Sequence, residues 1–384
     1  MFKKIVTIIV VIMFVSLSAS AVLSGYHHMG EKDLPQFLQA FPSKGNTKLD
    51  NCALCHSSGQ YEKGPGLSVS LGSCQWCHYR YGYEGKGDIA DTLNPYGKDY
   101  LVNGRNAASV IAINPKDSDG DGYNNEAEIA SIRFPGNKED DPAKKVAPSR
   151  VYTRQQLEAL PRHTQFLLMS ASKSEDFYAE YTGVTLETLL RDAGISDKAT
   201  GIRVYSPDGW SQYHPLEADP DPSLYHVLGK YPEAVYQYNT RADKAKGGWV
   251  DYSSPSSKGR NNNDPINVPG GLRLMLAYQR DGENLTPGVL TTDNKLDGEG
   301  PYRVIVPQKT LNPPDQGSTV ADQDVIWPYN AEWDHSAGAS TRSATIIKVE
   351  PLPEGTTDID LLEAGWQFVE QGKIIIYGAI KQLP

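Results

Sequence analysis

All four cysteines of this 384-residue chain lie between positions 52 and 77. They form two pairs with two intervening residues each, and a histidine follows each pair directly, in the segments CALCH (52–56) and CQWCH (74–78). In this spacing, two thiols bond the vinyl groups at one edge of a c-type haem, and the next residue gives its imidazole to the iron. The sequence therefore predicts two covalent haems, attached at Cys52 and Cys55 and at Cys74 and Cys77, with His56 and His78 as proximal iron ligands.

Two other chemistries use cysteines in this number. Exported proteins commonly pair four cysteines in two disulfides. Structural zinc sites combine cysteine with histidine. The short spacing within each pair, with a histidine directly after it, favours haem over both alternatives.

The dihaem segment is predicted over residues 22–105. Glycines at 64, 66 and 72 and several serines fit a chain that wraps around macrocycles and has little apolar core. With its two attachment motifs, this segment resembles small multihaem c-type cytochromes. The resemblance implies electron transfer with redox protein partners.

The sixth ligands of the two irons have several candidates. His27 and His28 lie closest to the haem segment, and adjacent residues of an extended strand project in opposite directions, so each is a candidate distal ligand for one iron. Met29, an open sixth position, or a histidine from the C-terminal part, such as His163 or His335, are the alternatives. The competing interpretation of residues 27–28 is a solvated N-terminus.

The stretch DSDGDGYNNEAE, residues 117–128, matches the calcium-loop pattern D-x-D-x-D-G-x5-E. It predicts one Ca²⁺ bound by Asp117, Asp119, Asp121, the carbonyl of Tyr123, Asn125 and a bidentate Glu128. Pro115 removes a clear entering helix, whereas EAEIASI predicts an exiting one. We therefore expect a single structural calcium loop in a linker over 106–148; a solvated acidic turn is the alternative.

The N-terminus reads MFKKIVTIIVVIMFVSLSASAV, a short positive segment, an apolar run and a small-residue cleavage site. This order predicts a signal peptide over residues 1–21 and an exported protein, either periplasmic or extracellular. An uncleaved anchor is the alternative. No cysteine follows the apolar run, which argues against a lipoprotein, and no later segment is apolar enough to cross a bilayer. The net charge of -10 argues against a nucleic-acid partner.

The C-terminal part, residues 149–384, has mixed helix and strand signals. Thr153 and Gln156 have capping-box spacing before one short helix, and TGVTLETLLRDAG predicts a second helix that ends at Gly194. Strands are predicted at 202–205, 302–306, 345–349 and 373–377, with long loops over 206–271 and 308–341. The expected fold class is α+β, a small loop-rich dihaem segment followed by a larger mixed α/β domain.

Several segments of this part, in order, resemble the molybdopterin-binding domain of the sulfite oxidase family. They are YTRQQLEALP, YTGVTLETLLRDAGI, VYSPDGW, LMLAYQRDGENL and GEGPYRVIVP, within residues 150–350. The last two correspond to the family's A-x-x-x-x-G-x-x-L and G-P-x-R-x-x-V-P segments, here Ala277, Gly282, Leu285, Gly300, Pro301, Arg303, Val306 and Pro307. The resemblance implies a pterin-bound molybdenum that oxidises or reduces a small oxyanion.

The chain departs from this family at the metal ligand. The family binds molybdenum through a cysteine between the two predicted helices, and this interval contains none; Met169 or Ser170 stands near the expected position. Neither replaces a thiolate well. Molybdopterin is therefore not expected. The candidates for an anion-binding cluster are Arg162, Arg203, Arg273, Arg303 and Arg342. His335 could be catalytic, a haem ligand or a surface residue, and His214 and His226 are interpreted as surface residues.

Two functions follow from these observations. The first is an exported dihaem cytochrome that transfers electrons, whose metal-free C-terminal domain binds partners or supports self-assembly. The second is a molybdopterin-dependent oxidoreductase in which the two haems relay electrons. The missing thiolate favours the first.

Overall fold

The computed structural model describes residues 31–64, 67–82, 85–171, 176–221, 224–238, 250–292, 295–309, 311, 336–361 and 365–381. The predicted signal peptide, the candidate ligands His27, His28 and Met29, and His335 lie outside these residues. Within the described part, helices and strands are both abundant, so the expected α+β class is confirmed.

The helices of the described residues are short. They are α1 (Asp33–Ala40), α2 (Ser73–Tyr81), α3 (Pro95–Val102), α4 (Ala107–Ala112), α5 (Asn125–Ala130), α6 (Arg154–Glu158), α7 (Leu186–Ala193), α8 (Ser336–Ala339) and α9 (Trp366–Glu370). Turns of 3₁₀ helix occur at Pro42–Lys44, Cys52–Leu54, Ile89–Thr92 and Pro255–Ser257. None of these helices is long and apolar enough to span a membrane.

The strands begin with the hairpin β1 (Gly59–Gly64) and β2 (Leu67–Leu71), and all others lie beyond residue 144. The longer ones are β4 (Ser149–Thr153), β5 (His163–Met169), β6 (Asp176–Thr185), β7 (Gly201–Tyr205), β8 (Ser211–Pro215), β12 (Met275–Arg280), β16 (Arg303–Ile305), β17 (Ile346–Glu350) and β19 (Lys373–Gly378). The short ones are β3 (Lys145–Val146), β9 (Ala234–Val235), β10 (Val250–Asp251), β11 (Pro265–Ile266), β13 (Glu283–Asn284), β14 (Val289–Leu290), β15 (Leu296–Asp297) and β18 (Thr356–Thr357).

Residues 31–140 form one unit, here called the N-terminal module, around a small apolar core. Leu54 and Tyr96 from the predicted haem segment pack there with Val110, Ile113 and Ile129 from the predicted linker. The structure thus joins residues 31–105 of the predicted haem segment and residues 106–140 of the predicted linker in a single packed body. Helix α4 ends at Ala112, before the acidic loop, and α5 begins at Asn125 within the last third of the loop, so the loop has an entering helix as well as the predicted exiting one.

The described part of the C-terminal domain, residues 145–381, has three two-stranded sheets, β3–β18, β9–β11 and β14–β15, and two larger ones. One has the path β10-β6-β12-β13, with β5 paired to β6 and β16 paired to β12. The other has the order β4-β19-β17-β7-β8 and is antiparallel except for the β17–β19 pair. Alternate residues of β17 and β19 face opposite sides: Ile347 and Ile376 enter the large core, and Ile346 and Ile375 enter a smaller one.

The predicted elements of this domain are confirmed where they follow local signals. Thr153 caps α6 with Gln156 in a capping box, and Gly194 ends α7 in the left-handed conformation with a φ of 79°. The four predicted strands correspond to β7, β16, β17 and β19. The interval 206–271 is not all loop, because β8 pairs along the full length of β7. Strands β5, β6 and β12 were not predicted.

A buried polar network holds the module against the C-terminal domain. Lys48 is 2% exposed, and its Nζ lies 2.8 Å from Asp140 Oδ2 and 3.3 Å from Thr357 Oγ1. Arg133 donates to Asp360 at 2.9 Å. Lys48, Arg133 and Asp140 all belong to the module, so this network contacts the C-terminal domain through Thr357 and Asp360.

Candidate functional site

The first cysteine motif forms a tight turn. Cys55 N and His56 N both donate to Cys52 O, at 3.2 and 2.9 Å, in the 3₁₀ turn that begins at Cys52. Asn51 starts this turn, because its side chain accepts a hydrogen bond from Ala53 N. The turn brings both cysteines and the histidine of the motif to the wall of one cavity.

A buried threonine determines the state of the His56 ring. Thr92 has no exposed surface, and its hydroxyl donates to Ile89 O at 2.7 Å. Because a hydroxyl has one proton, the same oxygen accepts from His56 Nδ1, which lies 2.6 Å away. His56 therefore carries its proton on Nδ1, and Nε2 keeps the lone pair that a metal requires.

Helix α3 packs directly against this turn. Asn94 caps the helix by accepting from Gly97 N at 2.8 Å, and its amide donates to Leu54 O at 3.0 Å. A Cβ added to Gly97 would lie 2.2 Å from Cys55 O. Only glycine allows the helix this close to the motif.

The cavity beside the first motif has a volume of about 270 Å³. Besides Cys52, Cys55 and His56, its walls are mainly apolar and aromatic, with Leu34, Phe37, Leu54, Leu93, Tyr96 and Val110. Asp33 and Arg105 pair with each other at 2.6 Å on its wall. A porphyrin needs an apolar enclosure of this kind, open where its carboxylates reach solvent.

One polar atom in this cavity wall lacks a partner. Tyr96 is 1% exposed, and its hydroxyl makes no hydrogen bond. Burial raises the pKa of Tyr96, so the hydroxyl stays protonated. Because an unsatisfied buried hydroxyl is costly, this group fits a cavity that holds a ligand with acceptor atoms. The residues around the first motif therefore fit a haem.

The second motif lies on α2. Cys74, Cys77 and His78 occupy positions i, i+3 and i+4 of this helix, which places them on one face. The side chain of Gln75 donates to Ser211 O, and Ser211 Oγ lies 3.3 Å from Gln75 Oε1. Strand β8 of the C-terminal domain thus fixes the start of α2. Gly209 also approaches this helix, since an added Cβ would lie 3.2 Å from Cys74 Sγ.

The two motifs contact each other. The Cys74 thiol forms a hydrogen bond with Cys52, which is the main reason that its pKa is raised above the ordinary value. Cys77 Sγ lies 4.0 Å from the Thr92 hydroxyl that holds His56. The four cysteines form no disulfide. The structure therefore places Cys52, Cys55, His56 and Cys74 on the walls of two cavities, with Cys77 beside Thr92, whereas His78 lines neither cavity.

The second cavity lies between the module and the C-terminal domain. Its volume is about 530 Å³, and Cys74 and His56 line it on the module side. Arg203, Lys348 and Glu350 line it on the domain side. Arg203 pairs with Glu350 at 3.2 Å, and Lys348 pairs with Asp358 at 2.6 Å. The second motif is thus bordered by a polar, charge-balanced space rather than by an apolar one.

The arrangement does not resemble a zinc site. In the described part of the chain, only Asp117, Asp119 and Asp121 bring three metal-ligating atoms within 4.8 Å of one another. Structural zinc requires four ligands at the corners of a small tetrahedron.

The acidic loop folds around its first aspartate. Asp117 accepts hydrogen bonds from Gly120 N and Gly122 N at 2.8 and 2.9 Å. Glu128 has no exposed surface, and neither of its carboxylate oxygens has a partner. Burial, with Asp119 beside it, raises the pKa of Glu128 to about 9. Burial and Asp121 raise the pKa of Asp119 to about 6. Such converging carboxylates fit a divalent cation.

Asn125, a predicted calcium ligand, forms hydrogen bonds with residues at and before the start of the loop. Its side chain donates to Ile113 O at 2.7 Å and to Ser118 Oγ at 2.9 Å, and its Oδ1 accepts from Ser118 N at 3.3 Å. In the structure Asn125 therefore fastens the two ends of the loop together. Tyr123 N donates to Asp121 at 2.8 Å.

The candidate molybdenum region provides one unsatisfied atom. Ser170 follows β5, has no exposed surface, and its hydroxyl lacks a partner, while Ser170 N donates to Ser336 Oγ at 3.0 Å. The candidate arginines are mostly neutralised: Arg273 pairs with Glu187 at 3.0 Å and Arg303 with Glu299. Like the missing thiolate, these ion pairs argue against a cluster that binds a pterin phosphate or an anionic substrate.

The structure corrects the interpretation of two histidines. His214 has no exposed surface, because it lies on β8 opposite Ile202, and Nδ1 contacts Tyr225 O at 3.2 Å. His226 is half-buried and stacks on Tyr231. His163 is also buried, with Nε2 3.1 Å from Gln165, and it lines neither cavity at the cysteine motifs.

The sequence analysis did not identify Thr92, Asn94 and Tyr96 as site residues. No local pattern marks them, although the segment TLNPYG carries the cap-and-proline signal of a helix start directly after Thr92. Their roles depend on how close α3 and the turn before it lie to the first motif.

Comparisons with known proteins give no match to any protein family, curated protein or solved structure.

Proposed function

We propose that the protein is an exported dihaem c-type cytochrome that transfers electrons. The observation that carries this proposal is the first motif, whose two thiols and imidazole line one apolar cavity with the imidazole in the tautomer that leaves Nε2 for iron. The second motif repeats the same residue pattern on one face of α2. When bound, haem supplies reversible one-electron chemistry.

The chain's own residues would have distinct tasks. Cys52, Cys55, Cys74 and Cys77 would anchor the two groups covalently, and His56 and His78 would ligate the irons. The apolar walls of the first cavity would exclude water, which sets the reduction potential of a buried haem. Tyr96 would donate its unpaired hydroxyl proton to the bound group.

His27 and His28 stay predicted distal ligands. They lie outside the described residues, but Glu31 and Asp33, which follow them closely, line the first cavity. Three to four residues of extended chain reach roughly 10–14 Å, enough to bring a preceding histidine over that cavity.

Redox partners would approach at the rim of the first cavity. Ile89 and Leu101 line this cavity and are also 48% and 40% exposed. Exposed apolar side chains beside a redox group suit a short-lived protein contact. The C-terminal domain is fixed to the module by the Lys48 network, so it would serve as a scaffold for partner binding or self-assembly.

The test is the metal content of the holoprotein, produced by export in a host that attaches c-type haem. We expect two irons per chain and the reduced absorption spectrum of thioether-bound haem. The variant C52A/C55A should keep one iron, and so should C74A/C77A. Zinc in place of iron, or no covalent haem in the wild type, would refute the proposal.

We also propose that the acidic loop binds one Ca²⁺. Asp117, Asp119 and Asp121 have three ligand oxygens within 4.8 Å of one another, and the buried, unpaired carboxylate of Glu128 lies near enough for their charges to raise its pKa. Oxygen ligands in this number suit calcium. Lys116 and Ser118 from the start of the loop bond Asp99 of α3, so the ion would brace the helix that covers the first motif.

A molybdopterin-dependent oxidoreductase is the second candidate. The buried, unpartnered hydroxyl of Ser170 near the expected ligand position is the observation in its favour. Molybdenum measured on the same preparation decides between the two: one molybdenum per chain would establish the enzyme, and none would leave the electron-transfer function.

A further inference from the structure

Thr92 lies between the two cysteine motifs. Its hydroxyl is 2.6 Å from His56 Nδ1 in the first motif and 4.0 Å from Cys77 Sγ in the second. Thr92 O also accepts from Ser57 N, the residue after His56, at 2.9 Å. One fully buried residue therefore contacts both motifs through its side chain.

The hydrogen-bond directions at Thr92 are fixed by proton count. Ile89 O can only accept, so its 2.7 Å contact takes the single hydroxyl proton, whereas a histidine Nδ1 can either donate or accept. The oxygen must then accept from His56 Nδ1–H. When the Nδ1–H of a ligating imidazole donates a hydrogen bond, the electron density at the ligating Nε2 increases. This stabilises the oxidised form of the metal.

We propose that Thr92 is a positioning residue shared by both haem sites, which orients His56 and lowers the potential of the first haem while it contacts the attachment sulfur of the second. This inference rests on the proposed dihaem function. The bond to Ile89 O is what makes Thr92 effective, because it prevents the hydroxyl from turning its proton toward the imidazole.

The test compares Thr92→Val, which keeps the side-chain shape, with Thr92→Ser, which keeps the hydroxyl. Thr47→Val is a matched control: Thr47 in the same module also donates to the carbonyl three residues before it, at 2.6 Å, without contacting a motif histidine. Each change is made in the C74A/C77A and the C52A/C55A backgrounds, so that each haem is measured alone.

In the C74A/C77A background, Thr92→Val should raise the midpoint potential of the remaining haem and lower its iron–histidine stretching frequency. Thr92→Ser and Thr47→Val should leave both unchanged. In the C52A/C55A background, Thr92→Val should cause a smaller potential shift in the same direction. Thr92→Ala is the second variant if valine prevents haem attachment, and the same shifts are expected.

If Thr92→Val in the C74A/C77A background leaves the midpoint potential and the iron–histidine stretching frequency unchanged, the proposal that Thr92 orients His56 is overturned. If Thr92→Val shifts the midpoint potential in the C74A/C77A background but not in the C52A/C55A background, the proposal that Thr92 serves both haem sites is overturned. Absence of haem from the parent protein would instead refute the proposed function, so the two failures are distinguishable.

Discussion

His214 shows how burial changes the chemistry of a single residue. The ring has no exposed surface, Nδ1 faces Tyr225 O, and Nε2 has no partner. Burial therefore lowers the pKa of His214 to about 4. The folded protein holds this ring neutral, whereas the unfolded chain protonates it near the ordinary value.

This gives a pH prediction with a defined sign. Because the folded pKa is depressed, His214 destabilises the fold as pH falls from about 6.5 to about 4. The difference between these two values corresponds to about 3 kcal/mol of unfolding free energy. Denaturant unfolding between pH 7 and pH 4 should show a shallower loss of stability in His214→Gln than in the wild type. Parallel curves would contradict the assignment.

Glu128 provides a second prediction for a single residue. In the wild type, calcium should raise the temperature of unfolding, because it neutralises carboxylates that repel one another. Glu128→Gln should lose most of this calcium-dependent increase, with affinity weakened roughly tenfold or more, since ligand charge sets the affinity of such loops. The midpoint measured with a chelator should not fall.

The matched control for that measurement is Glu126→Gln, which removes an exposed carboxylate from the same helix, α5. It should keep the full calcium response. A Glu128→Gln protein whose unfolding midpoint still rises with calcium as in the wild type would show that the loop does not bind through this residue.

Among elements, α3 does most to shape the first site. Its cap Asn94 bonds the motif backbone, Gly97 allows close approach, and Tyr96 lines the cavity. The sequence predicted the chemistry of the cysteines without this helix, because CxxCH is a local pattern. The contacts of α3 are not local: Asn94 meets Leu54 across 40 positions.

Substitution of Gly97 tests this packing. In Gly97→Ala the added Cβ would lie 2.2 Å from Cys55 O, so the helix or the motif must move. We expect a loss of about 1–3 kcal/mol in unfolding free energy and impaired haem attachment at the first motif only. Gly338→Ala in α8 is the control, since no atom lies within 4 Å of its added Cβ. Equal stability of the two variants would contradict the close approach.

Some strands of the C-terminal domain were predicted from the sequence and others were not. Strands β17 and β19 were found from their β-branched runs, whereas β5 and β6 were missed although they form the longest pair of the larger sheet. Strand β5 reads HTQFLLM and is buried along almost its whole length, so it lacks the alternation that marks a half-exposed strand. Only its second half, FLLM, is a continuous apolar run, and so short a run does not distinguish strand from helix.

In the whole molecule, Lys48 joins the module to the C-terminal domain. Lys48→Met would leave Asp140 buried with only the more distant Arg133, 3.8 Å away, as a cation. We expect a loss of about 3–5 kcal/mol in unfolding free energy, because a buried charge without its partner is strongly unfavourable.

Denaturant unfolding of the full chain measures this effect. Arg191→Met is the control, because it removes an exposed partner of Glu187 on α7 and should cost less than about 1 kcal/mol. If Lys48→Met costs no more than the control, the network does not hold the two units together.

The sequence by itself determined the chemistry that depends on spacing along the chain: two cysteine motifs, an acidic loop, the helix caps and the strands with β-branched runs. The tertiary structure decided what surrounds them. It packed residues on both sides of the acidic loop into the module core, buried His214, and brought Thr92 between His56 and Cys77. The reason is physical: the two motifs and the acidic loop consist of residues close in sequence, whereas burial and tautomer depend on partners that only folding brings near.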